Sequence, residues 1–122
     1  MEDVISTRIA LGRRGEQAAA DYLRAHGYTV LDRNWRCRNG EIDLICRAPS
    51  GATVFVEVKT RRGDAFGEPV EAVTPIKLHR MRLAAVEWLS QHPHPVAVVQ
   101  FDVIGVLWGP DGPTFDHVER VV

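Results

Sequence analysis

The sequence predicts an α/β (α+β) domain, a mixed central sheet flanked by helices in the order α-β-β-β-α-β-β. Three observations predict it. Two segments carry helical apolar stripes, residues 9–26 and 75–91. Three short Val-, Ile- and Phe-rich runs lie between them, and two more follow. Gly- and Pro-rich punctuation separates the runs, and no linker divides the chain of 122 residues, which is one domain's length.

In the first helix Ala18, Ala19, Tyr22 and Leu23 form the stripe, and Gly27 follows as a stop. Tyr28 to Leu31 reads as a strand, and Asn34-Trp35-Arg36-Cys37-Arg38-Asn39 as a basic connector. A second strand runs from Glu41 to Arg47, then Ala48-Pro49-Ser50-Gly51 turns the chain into a third, Thr53 to Arg61. Arg62 to Val73, with Gly63, Gly67 and Pro69, reads as a loop beside the site. Thr74 caps the second helix with Pro75 at its first position. Leu78, Met81, Ala85, Trp88 and Leu89 are its stripe, and His92-Pro93-His94-Pro95 ends it. Val96 to Leu107 and Phe115 to Val122 are the last strands, joined by a turn over 109–113.

Composition excludes several classes. With 45% apolar and 25% charged residues the chain is an ordinary globule. No run approaches the about 18 apolar residues of a membrane span. The acidic start, Met1-Glu2-Asp3-Val4, has no apolar signal region. Cys37 and Cys46 lack metal-ligand spacing, so free thiols in a cytoplasmic setting are expected. Charge is unevenly spread. Residues 1–62 hold 11 Lys and Arg against 8 Asp and Glu, and residues 63–122 hold 4 against 8. Arg13, Arg14, Arg33, Arg36, Arg38, Arg61 and Arg62 stud the first half, where guanidinium groups suit phosphate recognition and equally suit a solvated surface. Only Lys59 and Lys77 are lysines among the 15 basic residues.

Charge also enters the strands. By alternation Ile42 and Leu44 share one face, and Glu41, Asp43 and Ile45 the other. Likewise Phe55, Glu57 and Lys59 lie opposite Val54, Val56 and Val58. A hairpin centred on Ser50 sets position 43 across from 57, with Cβ atoms about 4.5–5.5 Å apart. Two facing carboxylates repel, and a hard divalent cation such as Mg²⁺ offsets the repulsion. A surface salt bridge among Asp43, Glu57 and Lys59 is the other reading. Glu16 runs along the buried stripe of the first helix and either joins the acids or pairs with Arg13. Gly12-Arg13-Arg14-Gly15 is a close packing point or a phosphate contact, since no phosphate-loop spacing surrounds it. Trp35 is a core residue or a base-stacking one. Asp102 supports the core or faces solvent, and His92 and His94 belong to a helix-ending turn.

Asp43 followed by Glu57-Val58-Lys59 resembles the Asp…(Asp/Glu)-x-Lys signature of restriction-endonuclease-like nucleases. Longer strings resemble the YraN family of predicted endonucleases, related to archaeal Holliday-junction resolvases. They are Gly12-Arg13-Arg14-Gly15-Glu16 through Tyr22-Leu23, Gly27-Tyr28, Asn34-Trp35-Arg36, Gly40-Glu41-Ile42-Asp43-Leu44-Ile45, Phe55-Val56-Glu57-Val58-Lys59-Thr60-Arg61, Lys77 and Phe101-Asp102-Val103. Gln100 stands where the family pattern has Arg. The resemblance implies a restriction-endonuclease-like sheet and metal-dependent hydrolysis of phosphodiester bonds in DNA, branched DNA included. By that carry-over Asp43, Glu57 and the Val58 carbonyl bind Mg²⁺ or Mn²⁺, Lys59 orients the attacking water, Glu16 completes the acidic set, and Lys77 contacts a phosphate. The junction-resolving relatives are two-fold dimers, so the resemblance admits a homodimer, while the sequence itself shows no obvious interface and leaves the oligomeric state open. The rival expectation is a catalytically silent module that binds nucleic acid without cutting it.

Overall fold

A computed structural model describes residues 4–62, 73–93 and 98–122. Its elements are α1 (Val4–Ala25), β1 (Thr29–Cys37), β2 (Gly40–Arg47), β3 (Thr53–Arg62), α2 (Pro75–Gln91), β4 (Val99–Gly109) and β5 (Gly112–Val118). The expected order α-β-β-β-α-β-β is the observed one. The loop expected over Arg62 to Val73 falls largely outside the described residues, as does His94.

The five strands form one mixed sheet in the order β1-β2-β3-β4-β5. Neighbours are antiparallel except β3 and β4, which run parallel, Phe55 beside Phe101 and Glu57 beside Val103. A parallel pair needs a crossover, and α2 supplies it. Each face of the sheet carries one helix. Ala19, Ala20 and Leu23 of α1 pack with Leu44, Cys46, Val54, Val56, Ile104 and Val106. On the opposite face Ala84, Ala85 and Trp88 of α2 pack with Ile42, Ile45 and Phe55. A strand buried on both faces reads as a continuous apolar run, and Thr53 to Glu57 is buried without interruption.

Local chemistry sets the boundaries. Gly27 ends α1 at φ 85°, with its N–H on the Arg24 carbonyl and the Tyr28 N–H on the Leu23 carbonyl. That pattern is a Schellman cap, which needs the left-handed conformation glycine adopts without strain. At α2 the Thr74 hydroxyl accepts from the Lys77 N–H at 3.2 Å, with Pro75 at the helix start.

Two readings need correction. Asn34 to Cys37 is strand rather than connector, because β1 runs on to Cys37. Trp35 and Cys37 alternate inward to the layer under α2, while Arg36 points out and pairs with Glu41 at 3.5 Å. Flanking arginines hide that alternation in the sequence. Nor do Ile42 and Leu44 share a face: Ile42 packs under α2 with Ile45, and Leu44 under α1. The alternation skips at Asp43. Asn34, across from Asp43 between the pairs Arg33–Leu44 and Trp35–Ile42, is left-handed at φ 48°. Asn tolerates that conformation and locally breaks the pleat.

Candidate functional site

Asp43 and Glu57 lie where the central hairpin opens. The β2–β3 ladder pairs Arg47 with Thr53, Cys46 with Val54, Ile45 with Phe55 and Leu44 with Val56. This is the register centred on Ser50, and the next rung would join Asp43 to Glu57. The ladder stops one pair short. Instead of the backbone, the Asp43 carboxylate takes the Val58 N–H, which donates to Oδ2 at 2.8 Å. In an extended residue N–H and C=O project to the same edge, so the Val58 carbonyl projects toward β2 as well.

Glu57 is 7% exposed, and a buried carboxylate of this kind demands partners. Its Oε1 pairs with the Lys77 ammonium from the first turn of α2. Asp43 has no cation in contact among the described residues. Burial and the Glu57 charge push its carboxyl up, to about 8, against the lowering effect of the Val58 N–H. Glu16 and Glu41 push it the same way. Glu16 reaches the group from α1. Burial raises its pKa, the Asn34 side chain lowers it by hydrogen bonding, and the Glu41 and Glu57 charges raise it further.

Asp43 and Glu57 form a wall between two open cavities. On the α1 side Leu11, Gly12, Glu16, Val58, Lys59 and Thr60 complete a space of about 490 Å³. On the α2 side Gly40, Glu41, Thr74, Ile76, Lys77, Arg80 and Met81 line a second of about 320 Å³. Glu16 stays in place because α1 sits close on β3 at Gly15. A Cβ there would fall 1.8 Å from Thr60 Oγ1 and 2.8 Å from Thr60 Cβ. Of the two readings of the glycine-arginine string, Gly15 is the packing point.

The structure therefore gathers Glu16, Asp43 and Glu57, places exposed Lys59 on the same cavity, and brings Lys77 onto Glu57 itself. The arginines disperse. Arg14 lies over the Trp108 ring at 4.6 Å, Arg36 pairs with Glu41, and Arg13, Arg38 and Arg62 are exposed, with Arg61 half-buried. Trp35 packs beside the α2 layer as a core residue. Both cysteines are free.

From the sequence Asp102 either supports the core or faces solvent. It is fully buried. Its Oδ2 lies 2.8 Å from His117 Nε2, while Oδ1 accepts from Arg120 N at 3.0 Å and Gln100 Nε2 at 3.3 Å. The apolar run Val103–Val106 that follows Asp102 was the available signal, since a carboxylate in such a strand has to be paired.

Three carboxylates gathered where the central hairpin of a two-helix mixed sheet opens make this an α/β protein with an acidic centre. Residues 15–106 match the family described as "Uncharacterised protein family UPF0102". The chain belongs to that family, which is YraN-like. It is 48% identical over 130 residues to a UPF0102 protein of Acidothermus cellulolyticus, covering 97% of both chains. It is 53% identical over 110 residues to one of Clavibacter michiganensis, covering 90% of this chain and 92% of that one. A Mycobacterium tuberculosis relative is 46% identical over 120 residues, covering 94% of each. Among solved structures, Pyrococcus furiosus SfsA in complex with Ca²⁺ aligns at TM-score 0.35 and 14% identity, covering 93% of this chain and 63% of the SfsA chain. A likeness that loose decides nothing about this protein. Among the described residues no helix is long and apolar enough to cross a membrane.

Proposed function

We propose that this protein is a divalent-metal-dependent nuclease of restriction-endonuclease-like type that hydrolyses phosphodiester bonds in DNA. The observation that carries the reading is the open rung at Asp43 and Glu57. Two carboxylates face a water-accessible cavity there, and the fold spends a backbone N–H on holding one of them.

The donor set suits Mg²⁺ or Mn²⁺. It consists of carboxylate oxygens and a backbone carbonyl, the hard ligands these ions take. Asp43, Glu57 and the Val58 carbonyl would hold the ion, which supplies an acidified water and neutralises charge on the phosphoryl oxygens. The remaining work belongs to side chains around the cavity. Lys59 orients the attacking water and meets the charge that develops on the phosphate. Glu16, with its carboxyl raised by burial, is suited to take the proton that the water loses. Exposed Arg13, Arg14, Arg36, Arg38 and Arg62, with half-buried Arg61, supply sequence-independent phosphate contacts. A branched DNA would present two-fold symmetry to a homodimer.

The test incubates purified protein with single-stranded, duplex, flapped and four-way DNA, and with RNA, in Mg²⁺ or Mn²⁺. Cleavage is expected for wild type, with Asp43→Ala and Glu57→Ala each reduced by at least about 10³-fold. No cleavage of any substrate, or undiminished cutting by both variants, defeats the catalytic reading. Salt-sensitive binding without cleavage assigns the silent binding module instead.

A further inference from the structure

Lys77 is placed unlike any other cation of the site. Its ammonium pairs with Glu57 Oε1, the oxygen-bearing arm that the proposed metal would need. Its backbone is fixed by the Thr74 cap at 3.2 Å. Yet its side chain is 42% exposed against 9% for Glu57. The lysine end of the pair is thus free to leave, and the glutamate end is not. Among the described residues this is the only ion pair that Asp43 or Glu57 makes.

We infer that Lys77 is a displaceable counter-cation, which holds Glu57 until a divalent ion arrives and is released when it binds. This rests on the proposed function, because it takes Asp43 and Glu57 as the metal ligands. The physical reason is charge balance. A carboxylate this buried, with Asp43 and Glu16 close by, requires a positive partner. A divalent ion held by Asp43 and Glu57 would supply that partner and would repel an ammonium in contact with the same oxygen. The half-exposed stem then carries the ammonium into the α2-side cavity, where Arg80 also stands. Two cations three residues apart on one helix face suit a phosphate adjoining the scissile one. Metal loading and phosphate binding are thereby coupled through one side chain.

The prediction is read by metal binding, without any assay of activity. Mn²⁺ affinity is measured calorimetrically on wild type, Lys77→Met, and Lys77→Met combined with Glu57→Gln, with circular dichroism as the check on folding. Lys77→Met keeps the stem, removes the competitor, and is expected to bind Mn²⁺ about tenfold more tightly. Adding Glu57→Gln should abolish that gain. Equal or weaker binding by Lys77→Met overturns the inference while leaving the proposed function standing. Absence of binding by both wild type and Lys77→Met overturns both. A second arm uses wild type alone. The chain has only two lysines, so amine acylation followed by peptide mapping reports each separately. Saturating Mn²⁺ should speed acylation of Lys77 several-fold, and an unchanged or slower rate contradicts the inference even if the variant fails to fold.

Discussion

Asp43 holds a carboxyl pushed up to about 8 by burial and the Glu57 charge, against about 3.9 in an unfolded chain. Between roughly pH 4 and 8 the native protein therefore keeps a proton that the unfolded chain has lost. Stability of the metal-free protein should fall as pH rises through that window and level off above it. Urea midpoints in the presence of a chelator check the slope, and a flat profile contradicts it. Asp43→Asn retains an oxygen for the Val58 N–H and cannot ionise. It should stabilise the protein at pH 8 by roughly 1–3 kcal/mol, and under the proposed function it should also weaken Mn²⁺ binding.

At the scale of elements, α1 and β3 meet at one point that admits no side chain. Gly15→Ala gains up to about 1 kcal/mol of helix propensity but drives a methyl into Thr60. A net loss of about 1–3 kcal/mol is expected from the overpacking, with α1 lifted from the sheet and Glu16 carried away from Asp43. Thermal melts of Gly15→Ala, Thr60→Ala and the double variant check it, and partial recovery in the double variant locates the clash. The hairpin β2–β3 shows the complementary principle. Its register is set by a short turn and by apolar pairs such as Ile45–Phe55, so it was legible from the spacing about Ser50. The opening of its last rung was not legible. It depends on the side chain of Asp43, which takes the Val58 N–H across the hairpin in place of a backbone partner.

At the scale of the whole molecule, the chain end is tied to the sheet by Asp102, which takes the Arg120 N–H and the His117 ring. Asp102→Ala leaves those donors and Gln100 without their acceptor, and a loss of about 3 kcal/mol is expected in chemical denaturation. A cost below about 0.5 kcal/mol would mean that the tail is held by other contacts. The sequence by itself determined the order of elements, the two helices with their caps, the hairpin register, the family, and the identity of Glu16, Asp43, Glu57 and Lys59 as candidates. Those are local quantities: periodicity, turn chemistry and motif spacing are carried by neighbours in the chain. Only the tertiary structure decided that Ile42 and Leu44 face opposite ways, that β1 runs through Trp35, that Asp102 is buried, and that Lys77 reaches Glu57 from another element. Each of these depends on segments distant in sequence that meet across the sheet, and on the need of a buried charge for a partner wherever the fold can bring one.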